Sequence, residues 1–269
     1  MDIKPHSGQI ADYLRLFDNN AEMAIDAIRQ HVALDKNPPA ARKPHGPALI
    51  TVDHVTKEYR AGKQKVSALS GVSLQVYEGE FLAITGVSGS GKSTLLQLMG
   101  GLDKPTSGTI TVAGTNLNTM SDRKLSHFRG QTIGFIFQFF YLQPFLSLQR
   151  NLEVPGMFAR TKRSERLTRV QELAAAVGLG DRLRHLPKEL SGGQVQRAAV
   201  ARALFNKPRV LLADEPTGNL DSKNGNAIID LFEKIRDDYG TTIVVITHDY
   251  NIAQRADRHI ALKDGAVLL

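Results

Sequence analysis

Gly86-Val-Ser-Gly-Ser-Gly-Lys92-Ser93-Thr94 stands between the apolar run Phe81-Leu-Ala-Ile-Thr85 and the stretch Leu95-Leu-Gln-Leu-Met99. The order predicts a strand, a glycine-rich loop and a helix, which is the setting of a phosphate-binding loop. Gly86, Gly89 and Gly91 let backbone N–H groups turn toward a polyphosphate, and the helix start adds unpaired donors and a positive dipole end. Lys92 is then within reach of the β- and γ-phosphates, and the Ser93 hydroxyl is placed to ligate Mg²⁺. Ser88, Ser90 and Thr94 complete the run of candidate nucleotide contacts.

Working outward, Leu190-Ser191-Gly192-Gly193-Gln194 precedes a stretch with apolar residues at helical spacing, so it supplies a second helix start suited to an anion. Alone, Ser-Gly-Gly is more often a turn and helix cap than a ligand site. Its companions reverse that reading. Arg209-Val-Leu-Leu-Ala-Asp214-Glu215 reads as a buried parallel strand with two carboxylates at its carboxyl end, where open α/β sheets bind ligands. Asp214 is placed for the Mg²⁺ shell and Glu215 to polarise an attacking water. A mere helix cap would leave Pro216 and the loop Thr217-Gly-Asn-Leu-Asp221 unexplained. Thr242-Ile-Val-Val-Ile-Thr247 is a further buried strand, and His248 at its end points into the same crevice.

These motifs together resemble the ATP-binding cassette (ABC) ATPases, over essentially everything from Leu49 to Leu269. Gly86 to Thr94 is similar to Walker A, Gln138 in Gly134-Phe-Ile-Phe-Gln-Phe to the Q-loop glutamine, and Leu190 to Gln194 to the signature. Val210 to Glu215 resembles Walker B, Asn219-Leu-Asp221 the D-loop, and His248 the switch histidine. Tyr59 matches the aromatic that stacks on adenine, although an ordinary strand tyrosine is as good a reading of that residue alone. The resemblance implies ATP and Mg²⁺ as cofactors, with the metal at Ser93, Gln138 and Asp214. It implies catalysis by Glu215, His248 and Gln138. No position these motifs require departs from the pattern.

The wording of Gly101-Leu-Asp-Lys-Pro-Thr-Ser-Gly108, Phe128 to Gln138 and Pro216 to Ser222 resembles the lipoprotein-releasing and macrolide-exporter type of ATPase subunit. That implies a head-to-tail dimer of two copies around two ATP. It also implies an integral membrane permease subunit with a large extracytoplasmic domain, driven by transmitted motion. The related cell-division cassette, a signalling ATPase on a membrane partner, shares much of this wording. A soluble cassette acting on nucleic acid or ribosomes fits less well. Such proteins carry two cassettes or a long coiled coil, whereas this chain has one P-loop, one signature and no sustained heptads.

Composition agrees. The 269 residues carry a formal net charge of +7 and no cysteine. The basic residues are dispersed apart from Arg160-Thr-Lys-Arg-Ser-Glu-Arg166 and lack interleaved aromatics, so no nucleic acid is expected. No stretch approaches the roughly 20 apolar residues of a membrane span. The expected location is the cytoplasmic face of the inner membrane, reached peripherally through a partner.

The expected fold class is α/β, a P-loop NTPase core with a parallel sheet, an N-terminal antiparallel β subdomain and an inserted helical subdomain. Residues 1–34 predict a helical extension, with Ile10, Leu14, Phe17, Ala21, Ile25, Ile28 and Val32 on one face. Residues 35–47 form a proline-rich linker, and the cassette runs over 48–269. The helical subdomain is expected at about 139–195, with Phe139 to Glu189 helical in pattern. Asp264-Gly265 reads as a tight hairpin near the end of the chain, leaving no room for a regulatory domain after it.

Overall fold

The computed structural model describes residues 46–62 and 64–268. The expected helical extension, and all but the last two residues of the proline-rich linker, lie outside them. Strands β1 (Ala48–Ala61) and β2 (Gln64–Tyr77) are followed by β3 (Phe81–Thr85), the phosphate loop and helix α1 (Lys92–Met99). Next come β4 (Ser107–Val112), β5 (Thr115–Asn116), α2 (Asp122–Thr132) and β6 (Ile133–Ile136). Helices α3 (Leu148–Phe158), α4 (Arg163–Ala176) and α5 (Gly192–Ala203) lead to β7 (Val210–Asp214). The described chain closes with α6 (Ser222–Tyr239), β8 (Thr242–Ile246), α7 (Tyr250–Arg255), β9 (Arg258–Lys263) and β10 (Ala266–Leu268).

Two sheets result. One is antiparallel in the order β2-β1-β4-β5, and the other runs β10-β9-β3-β8-β7-β6. In the second sheet β6, β7, β8, β3 and β9 are mutually parallel, and only the β9–β10 pair is antiparallel. The α/β class with both kinds of sheet is therefore as expected.

The central sheet is buried on both faces, and alternation along its strands decides which core each residue joins. Phe81, Ala83, Leu211, Ala213, Ile243 and Val245 face the helices α3 to α7. Leu82, Ile84, Val210, Leu212, Val244 and Ile246 face α1 and the antiparallel sheet. Each such large side chain contributes about 1.5–3 kcal/mol of burial, so this double-sided layer fixes the register of β3, β7 and β8 firmly.

That register positions the site. Ile84 pairs with Ile246, and Ile246 with Asp214, so the carboxyl ends of β3, β8 and β7 lie level along one edge. The phosphate loop, His248 and Glu215 all emerge from that edge.

Two differences from the sequence reading have clear causes. Phe139 to Ser147 are not helical; the helix starts only at Leu148, where Ser147 accepts from the Arg150 N–H as its cap. Buried Asn151 holds the preceding loop instead, bonding the Gln143 N–H and the Gln143, Leu146 and Ser147 carbonyls. The polar helix α2 buries only Leu125 and carries no apolar stripe to announce it. The hairpin at Asp264-Gly265 has both central residues at positive φ, 48° and 76°, as a two-residue turn of that type requires.

Candidate functional site

The phosphate loop is built on close backbone approach. A Cβ on Gly86, whose φ is +149°, would overlap the Leu262 carbonyl and the Ser90 hydroxyl. Gly91, at φ +100°, sits against the Ala68 carbonyl. Lys92 folds back over this loop, its Nζ donating to the carbonyls of Gly86 at 2.8 Å and Val87 at 2.9 Å. Burial holds its ammonium below the ordinary lysine range, against the pull of Glu215 and Asp214. Ser90 Oγ is buried there without a hydrogen-bond partner.

Ser93 Oγ donates to Asp214 Oδ1 at 3.2 Å, joining the first turn of α1 to the end of β7. Burial raises the Asp214 carboxyl above the usual carboxylate range, and neighbouring Glu215 adds to that. A cation here would relieve both effects. Among the described residues no group of three or more His, Cys, Asp or Glu could hold a metal. Ser93 and Asp214 offer one hydroxyl and one carboxylate, a pair that could hold an Mg²⁺ completing its shell with water and phosphate oxygens.

Glu215 donates its backbone N–H to the Ile246 carbonyl at 2.9 Å and takes a left-handed φ of +45°. That conformation is uncommon for a non-glycine residue and turns the side chain out of the strand line. Its Oε2 lies 2.9 Å from His248 Nδ1. The Glu215 hydrogen bond holds the His248 imidazole above its ordinary value, against the effect of burial.

Gln138 follows β6, and its carbonyl accepts from Asn219 Nδ2 at 2.9 Å. Its side-chain amide rests against Gly218 and hydrogen-bonds neither Ser93 nor Asp214. Asp221 caps α6, accepting from the Asn224 N–H at 2.9 Å and its Nδ2 at 2.7 Å, and these bonds hold its carboxyl below the usual range. Ser191 caps α5: its Oγ accepts from the Gln194 N–H, and Gln194 Oε1 accepts from the Ser191 N–H. Gly192 and Gly193 form the first turn of that helix. The hydrogen bonds of Ser191 and Gln194 are thus to each other, not to the phosphate loop of the same chain.

Tyr59 is 38% exposed at the rim of the antiparallel sheet. Its hydroxyl donates to Asp103 Oδ2 at 3.0 Å, Lys57 Nζ sits 4.8 Å from its ring centroid, and Thr94 lies beside the phenol. Lys57 also pairs with Asp103 at 2.7 Å. Sequence reasoning missed Lys57 and Asp103, since Asp103 lies 44 positions from Tyr59 and gives no periodic signal. It also missed Gln196, which is fully buried and donates to the Pro216 carbonyl.

Residues 69–218 match the family model described as ABC transporter. The lipoprotein-releasing system ATP-binding protein LolD of Shewanella frigidimarina is 46% identical over 218 residues, covering 81% of this chain and 91% of that protein. The macrolide export ATP-binding/permease protein MacB of Shigella flexneri is 45% identical over 220 residues, which is 82% of this chain but only 34% of that longer protein. Among solved structures, the dimeric post-hydrolysis state of the ATP-binding cassette MJ0796 bound to ADP and Pi superposes with a TM-score of 0.76 at 43% identity, covering 82% of this chain and 97% of the other.

Proposed function

The chain belongs to the ABC transporter family of ATP-binding cassettes and is an ATPase of the LolD and MacB type, and from that premise we propose that two copies close head-to-tail around two ATP and drive a separate membrane subunit. The observation that carries the chemistry is the level edge of β3, β7 and β8, which gathers Lys92, Ser93, Asp214, Glu215 and His248 at one crevice.

In this reading Lys92 leaves the Gly86 and Val87 carbonyls for the β- and γ-phosphates, while the loop N–H groups and Ser88, Ser90 and Thr94 hold the remaining phosphate oxygens. Tyr59 stacks on the base. Ser93 and Asp214, with Gln138 drawn in on closure, would hold Mg²⁺, which when bound neutralises charge on the phosphates. Glu215 orients and deprotonates the attacking water, and His248 contacts the γ-phosphate while holding the Glu215 carboxylate in position. Ser191, Gly192, Gly193 and Gln194 meet the ATP of the other copy, and Asp221 lies at the same interface. Within one chain the α5 start bonds to itself, Ser191 with Gln194, and in this reading two-fold symmetry supplies both halves of each site.

The membrane partner is read from an apolar surface. Phe139, Tyr141 and Phe145 are 64%, 62% and 89% exposed in the loop between Gln138 and α3. Arg202 braces that loop, donating to the Phe140 and Tyr141 carbonyls. Exposed aromatics on a braced loop suit a protein interface, and among the described residues no helix is long and apolar enough to cross a membrane. By its likeness to LolD and MacB, the reading locates the chain at the cytoplasmic face of the membrane beside a permease subunit. Affinity purification of the full chain from detergent-solubilised membranes tests this. Recovery of a polytopic membrane protein with a large extracytoplasmic domain is expected, and recovery of ribosomes or DNA in its place overturns it.

A further inference from the structure

Gln196 is 0% exposed in the middle of α5, and its Nε2 donates to the Pro216 carbonyl at 2.5 Å. Its Oε1 is buried with no partner. A carbonyl only accepts, so the amide nitrogen must face Pro216 and the side chain cannot be turned round to satisfy its oxygen. A buried amide with one end unsatisfied costs free energy that an apolar side chain of the same size would not. Packing alone therefore does not account for glutamine here.

The bond has a particular address. Pro216 is buried and immediately follows Glu215, whose left-handed backbone aims its carboxylate toward His248. The turn is held from three sides: the Glu215 N–H by the Ile246 carbonyl, the Glu215 carbonyl by the Gly218 N–H at 3.1 Å, and the Pro216 carbonyl by Gln196. The first two belong to the sheet and to the loop itself. Only the third comes from α5. The same face of α5 touches the segment after Pro216 at two more points, Gly192 against Leu220 and Gly193 against Asn224.

We propose that Gln196 is a positioning residue that ties the direction of the Glu215 carboxylate to the placement of α5. The inference rests on the reading of Glu215 as the base and of the α5 start as the contact to the other copy's ATP. In the closed dimer, α5 is seated by the ATP of one site while Glu215 acts at the other. Gln196 then joins the two sites through a single hydrogen bond inside one chain.

The test uses the full chain with three variants, reading ATP turnover against ATP affinity, the latter by titration with a fluorescent ATP analogue. Gln196→Met keeps the length and removes both the donor and the orphaned oxygen. It should lower kcat roughly tenfold, as a small misplacement of a reacting group does, with affinity within about twofold. In Gln196→Glu, burial raises the carboxyl pKa, and the protonated form regains an O–H for the Pro216 carbonyl. Its kcat relative to the unsubstituted chain should therefore recover as pH falls from about 8 to 6, while the Met variant stays flat. Unchanged kcat in Gln196→Met, or a parallel fall of kcat, affinity and melting temperature, overturns the proposal. Glu215→Gln run alongside separates the two readings. A loss of roughly 100-fold or more there, with none in Gln196→Met, sinks the positioning role alone; near-normal turnover in Glu215→Gln sinks the general base on which it rests.

Discussion

His248 Nδ1 lies 2.9 Å from Glu215 Oε2, so these two side chains bridge the loops after β8 and β7. The contact makes protonation of His248 favourable in the folded chain, and its pKa lies above the unfolded value of 6.5. A raised histidine stabilises the fold fully below the unfolded pKa, and that contribution fades as pH rises through the folded one. His248→Ala should therefore lower the urea midpoint more at about pH 6 than at about pH 9. The histidine side chain is 72% exposed, so the difference is small and is screened at roughly 1 M salt. Equal losses at both pH values would count against the ion pair.

Lys92 Nζ donates to the Gly86 and Val87 carbonyls. ATP must offer it more than those two bonds, and charged phosphate oxygens do, at about 1.5–3 kcal/mol for each bond to a charged group. Lys92→Ala is expected to weaken ATP binding by roughly tenfold or more in isothermal titration calorimetry. Unchanged affinity would contradict the assignment of the phosphate loop.

Gly100 ends α1 with an ordinary φ of −81°, so a side chain there meets no backbone strain. The obstacle is packing. An added Cβ would run into the Phe135 ring and come within 3.2 Å of Leu212. Replacing glycine gains about 0.4–1 kcal/mol from the unfolded state, while overpacking costs about 1–3 kcal/mol. Gly100→Ala should thus lower the melting temperature by about 2–4 °C, and a second change, Phe135→Leu, should restore most of it. A melting temperature that stays or rises in the single variant would mean that the ring yields freely.

The elements legible in the sequence are those whose residues answer to one demand. Strands β3, β7 and β8 read as unbroken apolar runs because both faces are buried, and Asp264-Gly265 reads as a turn because two positive φ angles leave few alternatives. Strand β2 was not legible: from Gln64 to Tyr77 its exposed and buried positions follow no clean alternation, because its register against β1 shifts several times. The site divides in the same way. Lys92, Ser93, Asp214 and Glu215 lie in compact motifs, whereas Lys57 and Asp103 at Tyr59, and Gln196 at Pro216, act through contacts between distant elements. Such contacts leave no local spacing to find.

Ser191 already caps α5 through its hydroxyl, so removing it confounds loss of a ligand with loss of a helix start. Aspartate is an N-cap as good as serine, yet it sets a negative charge where the other copy's phosphates would approach. Ser191→Asp should keep the fold, shown by an unchanged melting temperature, and abolish turnover. In a head-to-tail dimer, a Lys92→Ala chain paired with a Ser191→Asp chain puts both defects on one composite site. The second site keeps the intact Lys92 of one copy and the intact Ser191 of the other. Mixed dimers isolated with two tags should therefore trap ATP at one site per dimer in the closed state, where neither parental homodimer traps any. If Ser191 instead served its own chain's nucleotide, each site of the mixed dimer would carry one defect, and no ATP would be retained.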